Sequence, residues 1–151
     1  SARVVSRKRA SQATMRDNHD GTVTDLATGL VWQKGFDAKP PTTIAGATEY
    51  CASLGLPGSG WRLPTLRELV SIIDFYTGAS QPYENDILDN EYFPRGQQAA
   101  ISSTPIPGMP GHTYYVSWYG FTAFRGIFGN LAANGKADPD EGFTIGVRCV
   151  R

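Results

Sequence analysis

Two stretches of the chain carry apolar residues at the three-and-four spacing of an amphipathic helix. In "TTIAGATEYCASLG" (42–55), Ile44, Ala47, Cys51 and Leu54 fall on one face. Thr42 or Thr43 is placed to cap its start, and Gly55 to end it. In "TLRELVSIIDFYTG" (65–78), Leu66, Leu69, Val70 and Ile73 line a second face. Thr65 and Glu68 have capping-box spacing, in which the hydroxyl and the carboxylate each satisfy an amide of the first turn, and Gly78 is a plausible stop. The linker "LPGSGWRLP" is short, so the helices are neighbours, with Trp61 and Leu63 packed beneath them.

Elsewhere the period is two. "TVTD" and "LVWQ", joined by "LATG", read as a hairpin. In it Asp25 bonds amides ahead of it and Gly29 takes the left-handed position that closes the turn. "YYVSWY" (114–119) alternates, which predicts Tyr114, Val116 and Trp118 inward and Tyr115, Ser117 and Tyr119 outward. "FTIGVRCV" predicts a half-buried strand, with Phe143, Ile145, Val147 and Cys149 inward and Thr144, Gly146 and Arg148 outward. The segment between these strands is irregular and long for an idle loop. The elements add up to an α+β fold: two helices packed on small antiparallel sheets with long loops.

Composition agrees. At 151 residues the chain is long enough for one domain with a real core. Seventeen Gly, ten Pro and many aromatics favour a loop-rich mixed fold over a helical bundle. Formal net charge is zero, which argues against nucleic acid and anionic membranes as partners, and no apolar run is long enough to insert in a membrane. Charge is uneven, however. Residues 1–16 hold Arg3, Arg7, Lys8, Arg9 and Arg16, no acid and no hydrophobic period. They read as a flexible basic arm ahead of a domain at 17–151.

Candidate chemistry is sparse. "DNHDG" (17–21) offers Asp17, Asn18 and Asp20 as oxygen ligands for calcium. The register of a helix-loop-helix calcium loop fails, because positions 3, 5 and 12 fall on His19, Gly21 and Thr28. A plain turn is the stronger reading, so no cofactor is expected. His19 and His112 lack a nucleophile motif, Ser102 and Ser103 lack an elbow context, and Asp138 and Asp140 are ordinary loop acids. A catalytic role is not expected. Cys51 and Cys149 both face inward on their elements; they are either two separate buried thiols or a disulfide that implies an oxidising compartment.

The order "DGTVTDLATGLVWQK", "ATEYCASL", "WRLPTLRELVSIID", "YFP", "ISST", "YYVSW" and "VRCVR" resembles the Lcl C-terminal domain family, from about residue 17 to the end. That resemblance implies a C-type lectin-like fold and a secreted, cell-surface or periplasmic bacterial protein. It also implies a disulfide between the first helix and the last strand, here Cys51 to Cys149. Two departures stand out: Ile101 replaces an aromatic before Ser-Ser-Thr, and the segment 121–141 is longer than expected. The ligand tripeptides of calcium-dependent sugar-binding lectins are missing, since Trp118 is followed by Tyr119 and Gly120. Related formylglycine-generating enzymes need free cysteines, which paired Cys51 and Cys149 cannot supply.

The expected function is therefore binding. By analogy with C-type lectin-like folds, the region 114–141 forms the ligand surface, with Tyr115, Tyr119, Arg125, Asn130 and Asn134 as candidate contacts. An extracellular glycan or protein is the expected ligand, and sulfated glycans are what the adhesin relatives imply. The alternative is a protein-interaction or oligomerisation domain without a sugar site, a homotrimer being the assembly implied by collagen-linked relatives.

Overall fold

The computed structural model describes residues 14–37, 43–73, 88, 92–94, 99–117, 128–134, 137–138 and 145–151. Strands β1 (Met15–Asp17), β2 (Thr22–Asp25) and β3 (Val31–Gln33) form an antiparallel sheet in that order. Helices α1 (Ile44–Ala52) and α2 (Leu66–Ser71) follow. Strands β4 (Ala99–Pro105), β5 (Thr113–Ser117), β6 (Phe128–Leu131), β7 (Ala137–Asp138) and β8 (Ile145–Gly146) make a second sheet ordered β7-β6-β5-β4-β8. Within it only the β4–β8 pairing is parallel. The architecture is α+β, as the periodicities predict.

Local signals set most element ends. Thr43 caps α1 by accepting a hydrogen bond from the Gly46 amide at 3.0 Å. The Thr65–Glu68 capping box is formed in full at the start of α2. Both helices stop earlier than their glycines predict: α1 ends at Ala52, and α2 gives way at Ile72. Ile72 and Ile73 are both buried, and Ile73 leaves the helix to bridge Leu88. Gly78 lies outside the described residues. At the other end of the domain, Met15 and Arg16 pair with Asp25 and Thr24 in β1, so the sheet claims two residues that their charge pattern assigned to the arm.

The chain end ties the two halves together. Val31 and Arg151 exchange backbone hydrogen bonds at 2.9 Å, and the Gln33 amide donates to the Cys149 carbonyl at 2.9 Å. On its other side Val150 exchanges two bonds with Arg62. Residues 149–151 thus run between the first sheet and the "WRLP" segment. The Cys51–Cys149 disulfide fastens this ribbon to α1, and both sulfurs are fully buried.

The five-stranded sheet has a core on both faces. One cluster gathers Val23, Trp32, Leu69, Phe93, Ala100, Val116 and Val150. The other gathers Ala47, Cys51, Trp61, Leu63, Ile101, Tyr115, Leu131 and Cys149. Neighbours in sequence split between them, as Tyr115 and Val116 do, because successive strand residues point to opposite faces. Two expectations fail for this reason. Tyr115 and Ser117 are buried, not outward, since β5 is an interior strand covered on both sides. Arg148 is fully buried instead of solvated. Its guanidinium donates to the carbonyls of Gln33, at 3.0 Å, and Lys34, and lies 5.0 Å from the Phe93 ring centroid.

Candidate functional site

Strands β5 and β6 frame the expected ligand region. They pair antiparallel, with Thr113 opposite Leu131, Tyr114 opposite Asn130, Tyr115 opposite Gly129 and Val116 opposite Phe128. The connection 118–127 therefore starts and ends at one end of the five-stranded sheet. The first residue of β8, Ile145, lies at that same end, because Ala99 pairs with both Ser117 and Ile145, whereas Asp138, the last residue of β7, is level with Tyr114 through Asn130, toward the other end. The sheet thus holds both ends of the connection 118–127, together with the start of β8, at this end.

The five candidate contacts fare differently. Tyr115 is only 5% exposed, and its ring lies over Gly129, where an added Cβ would come within 2.5 Å of the ring and its hydroxyl. This is a packed cross-strand pair, so Tyr115 faces the core and not outward as its alternation predicted. Asn130 occupies the position opposite both Tyr114 and Asp138, at the middle of β6. Asn134 is exposed in the turn after β6, at the opposite end of the sheet from the anchors Ser117 and Phe128. There the Ala133 carbonyl accepts from the Ile44 amide at 3.3 Å, so this corner rests on the start of α1. Tyr119 and Arg125 lie outside the described residues.

The oxygen-rich opening segment is committed to its own turn. The Asp20 carboxylate accepts the Thr22 amide at 3.0 Å and the Thr22 hydroxyl at 2.5 Å. Asp17 accepts the His19 amide at 2.9 Å and pairs with Lys34, which holds its carboxyl below the usual range. The Asn18 amide group donates to Thr22 at 2.9 Å and Thr24 at 2.8 Å. A left-handed His19 and Gly21 complete the bend. These side chains shape the turn. Among the described residues no group of three His, Cys, Asp or Glu side chains is placed to hold a metal. The second turn forms as expected: Asp25 accepts the Ala27 amide at 2.9 Å, and Gly29 sits at φ 77°.

The hydroxyls of "ISSTP" are equally occupied. Ser102 Oγ donates to the Tyr114 carbonyl at 2.7 Å, Ser103 Oγ donates to the Pro64 carbonyl at 3.3 Å, and Thr104 Oγ1 accepts the Leu66 amide at 2.9 Å. They fasten β4 to its neighbour and to the start of α2.

The family comparison is decisive for kinship, since the model of the Lcl C-terminal domain matches residues 21–151. The chain belongs to the Lcl C-terminal domain family. No curated protein and no solved structure gave a match. In this Lcl C-terminal domain, two of the stretches that carried the resemblance are spent on structure. In "DGTVTDLATGLVW", Thr22, Val23, Asp25 and Trp32 are buried and the other polar residues shape the turns. In "WRLPTLREL", Trp61, Leu63 and Leu69 are core. Arg62 forks onto Glu68 at 2.7 and 2.8 Å while Thr65 caps α2. The fork and the Thr65 amide hold the Glu68 carboxyl down at about 2, against an ordinary value of 4.5, in spite of its partial burial.

Gln33 and Arg148 are structural residues that pattern reading missed. Gln33 donates from its side chain to the Tyr50 hydroxyl at 2.8 Å and accepts the Cys149 amide at 2.9 Å. Gln33 ends β3 and Arg148 lies two residues past β8, both at positions whose alternation in the sequence resembles that of solvated residues. Only the meeting of the chain end with β3 explains their burial.

Proposed function

We propose that this Lcl C-terminal domain is a non-catalytic binding module of secreted, surface or periplasmic origin with a C-type lectin-like fold. It recognises an extracellular glycan or protein through segments in 114–141. Tyr119 and Arg125 are its leading contacts, with Asn130 at the frame and Asn134 on a separate corner. The observation that carries this reading is the anchoring of both ends of the connection 118–127 at one end of a sheet on a scaffold tied by a buried disulfide. Binding groups on loops need a rigid support to limit the entropy lost on association. The disulfide also supports an oxidising compartment. No helix among the described residues is long and apolar enough to cross a membrane.

A glycan array run at two salt concentrations tests the reading, because a charged ligand held by Arg125 should lose affinity as salt screens it. Tyr119→Ala and Arg125→Ala should each weaken binding with the melting temperature unchanged, whereas Tyr115→Ala should lower the melting temperature. Wild-type binding by folded Tyr119→Ala and Arg125→Ala variants would place the site elsewhere. An array without any hit, together with a trimer in analytical ultracentrifugation, would favour an assembly domain instead.

A further inference from the structure

The hairpin tip between β4 and β5 has the sequence "PIPGMPG" (105–111), without a charged side chain. Two Pro-Gly turns stand there in tandem. The Met109 amide donates to the Ile106 carbonyl at 3.2 Å, and the His112 amide donates to the Met109 carbonyl at 3.1 Å. Gly108 and Gly111, each third in its turn, both sit at φ 77°. Proline second and a left-handed glycine third is the type II pattern. The Ile106 amide closes the base onto the His112 carbonyl at 3.0 Å. Met109 is the shared corner of the two turns, and it is 36% exposed. Among the described residues only Leu26 is another exposed large apolar side chain. The second methionine, Met15, is half-buried and packs against the cluster around Trp32 and Leu69. Both cysteines are consumed in a buried disulfide, which leaves the two thioethers as the oxidisable sulfurs.

We propose that Met109 is a methionine-sulfoxide site, taking one oxygen atom from a peroxide in the folded protein while Met15 stays reduced. The sulfur lone pair attacks the peroxide, the O–O bond breaks, and sulfur gains one oxygen as it loses two electrons. Hydrogen peroxide, having accepted those electrons, leaves as water. The turn bonds at the tip are backbone to backbone, so the added oxygen leaves it intact. Its effect is to turn an apolar knob into a dipolar one, and methionine sulfoxide reductases can reverse it.

Peptide mapping by mass spectrometry across a graded hydrogen peroxide series tests this on the intact chain. The peptide with Met109 should gain one oxygen several-fold faster than the peptide with Met15, with the melting temperature unchanged. In denaturant the two rates should converge. Met109→Leu should remove the fast adduct, and Met15→Leu should leave it. Equal or faster oxidation of Met15 in the folded protein would overturn the proposal, as would a rate difference that persists in denaturant. Loss of the folded state on oxidation of Met109 would overturn it too. Should Met109→Leu fail to fold, the wild-type map alone decides.

Discussion

Removal of the Cys51–Cys149 bond should be the most damaging single perturbation of this domain. The bond spans 98 residues of sequence. A cross-link stabilises chiefly by restricting the unfolded chain, and for a loop of this length the chain-entropy relation predicts about 4.7 kcal/mol. Domains of this size have a total stability of roughly 5–15 kcal/mol, so the reduced form should be marginal. At about 2–4 °C per kcal/mol the melting temperature should fall by roughly 10–20 °C. Two comparisons separate loop entropy from packing. Reduced wild-type protein keeps both sulfurs in place, whereas a Cys51→Ala/Cys149→Ala variant also loses their buried volume and should fall about 1–2 kcal/mol further. Urea unfolding of the oxidised, reduced and doubly substituted forms gives all three values. The slope against urea should also rise without the bond, because the freed unfolded chain exposes more surface. A loss below about 1 kcal/mol on reduction, with an unchanged slope, would refute the entropic reasoning.

Three further perturbations probe the scaffold. Glu68→Gln keeps the capping bond but loses the charged fork from Arg62. Because the folded carboxyl sits near 2 and the unfolded one near 4.5, its stabilisation is complete above 4.5 and lost as pH falls through 2. Wild-type urea midpoints should decline over that window, while those of Glu68→Gln should decline less; identical acid limbs would refute the role. Gly129→Ala drives a methyl into the Tyr115 ring and should destabilise by about 1–3 kcal/mol, and Tyr115→Leu should suppress much of that loss in a double-mutant cycle. Additive effects would show that the two do not touch. Arg148→Met strips a buried donor from the carbonyls of Gln33 and Lys34 and should lower stability by about 2–4 kcal/mol by thermal and chemical unfolding. A neutral result would mean that water replaces the guanidinium.

Much of the fold was legible because it is written in short-range chemistry. The cap at Thr43, the Thr65–Glu68 box, the turn at Asp25 and Gly29 and the core faces of α1 and α2 each rest on residues a few positions apart. Those residues interact whatever the rest of the chain does, so the sequence alone determined the two helices, the β2–β3 hairpin, β5 and the last strand, whereas β1, β4, β6 and β7 were set only by their partners in the sheets. Which faces meet solvent was decided only by the assembled structure. Alternation tells which residues share a face, but not whether a second layer covers the other one. Tyr115 and Arg148 became buried because β5 lies inside a five-stranded sheet and the chain end slots between β3 and Arg62. The disulfide illustrates both halves: inward cysteines could be read from the periodicity of their elements, but the 5.5 Å approach of their Cα atoms required residues 98 apart to meet. The candidate site divides in the same way. Aromatic and polar residues in 114–141 could be named from the sequence, yet the register of β5 against β6 removed Tyr115 from the surface and set Asn134 at the far end from the anchors of Tyr119 and Arg125. Such register is a long-range hydrogen-bond pattern, chosen by packing on both faces at once, and no local stretch of sequence contains it.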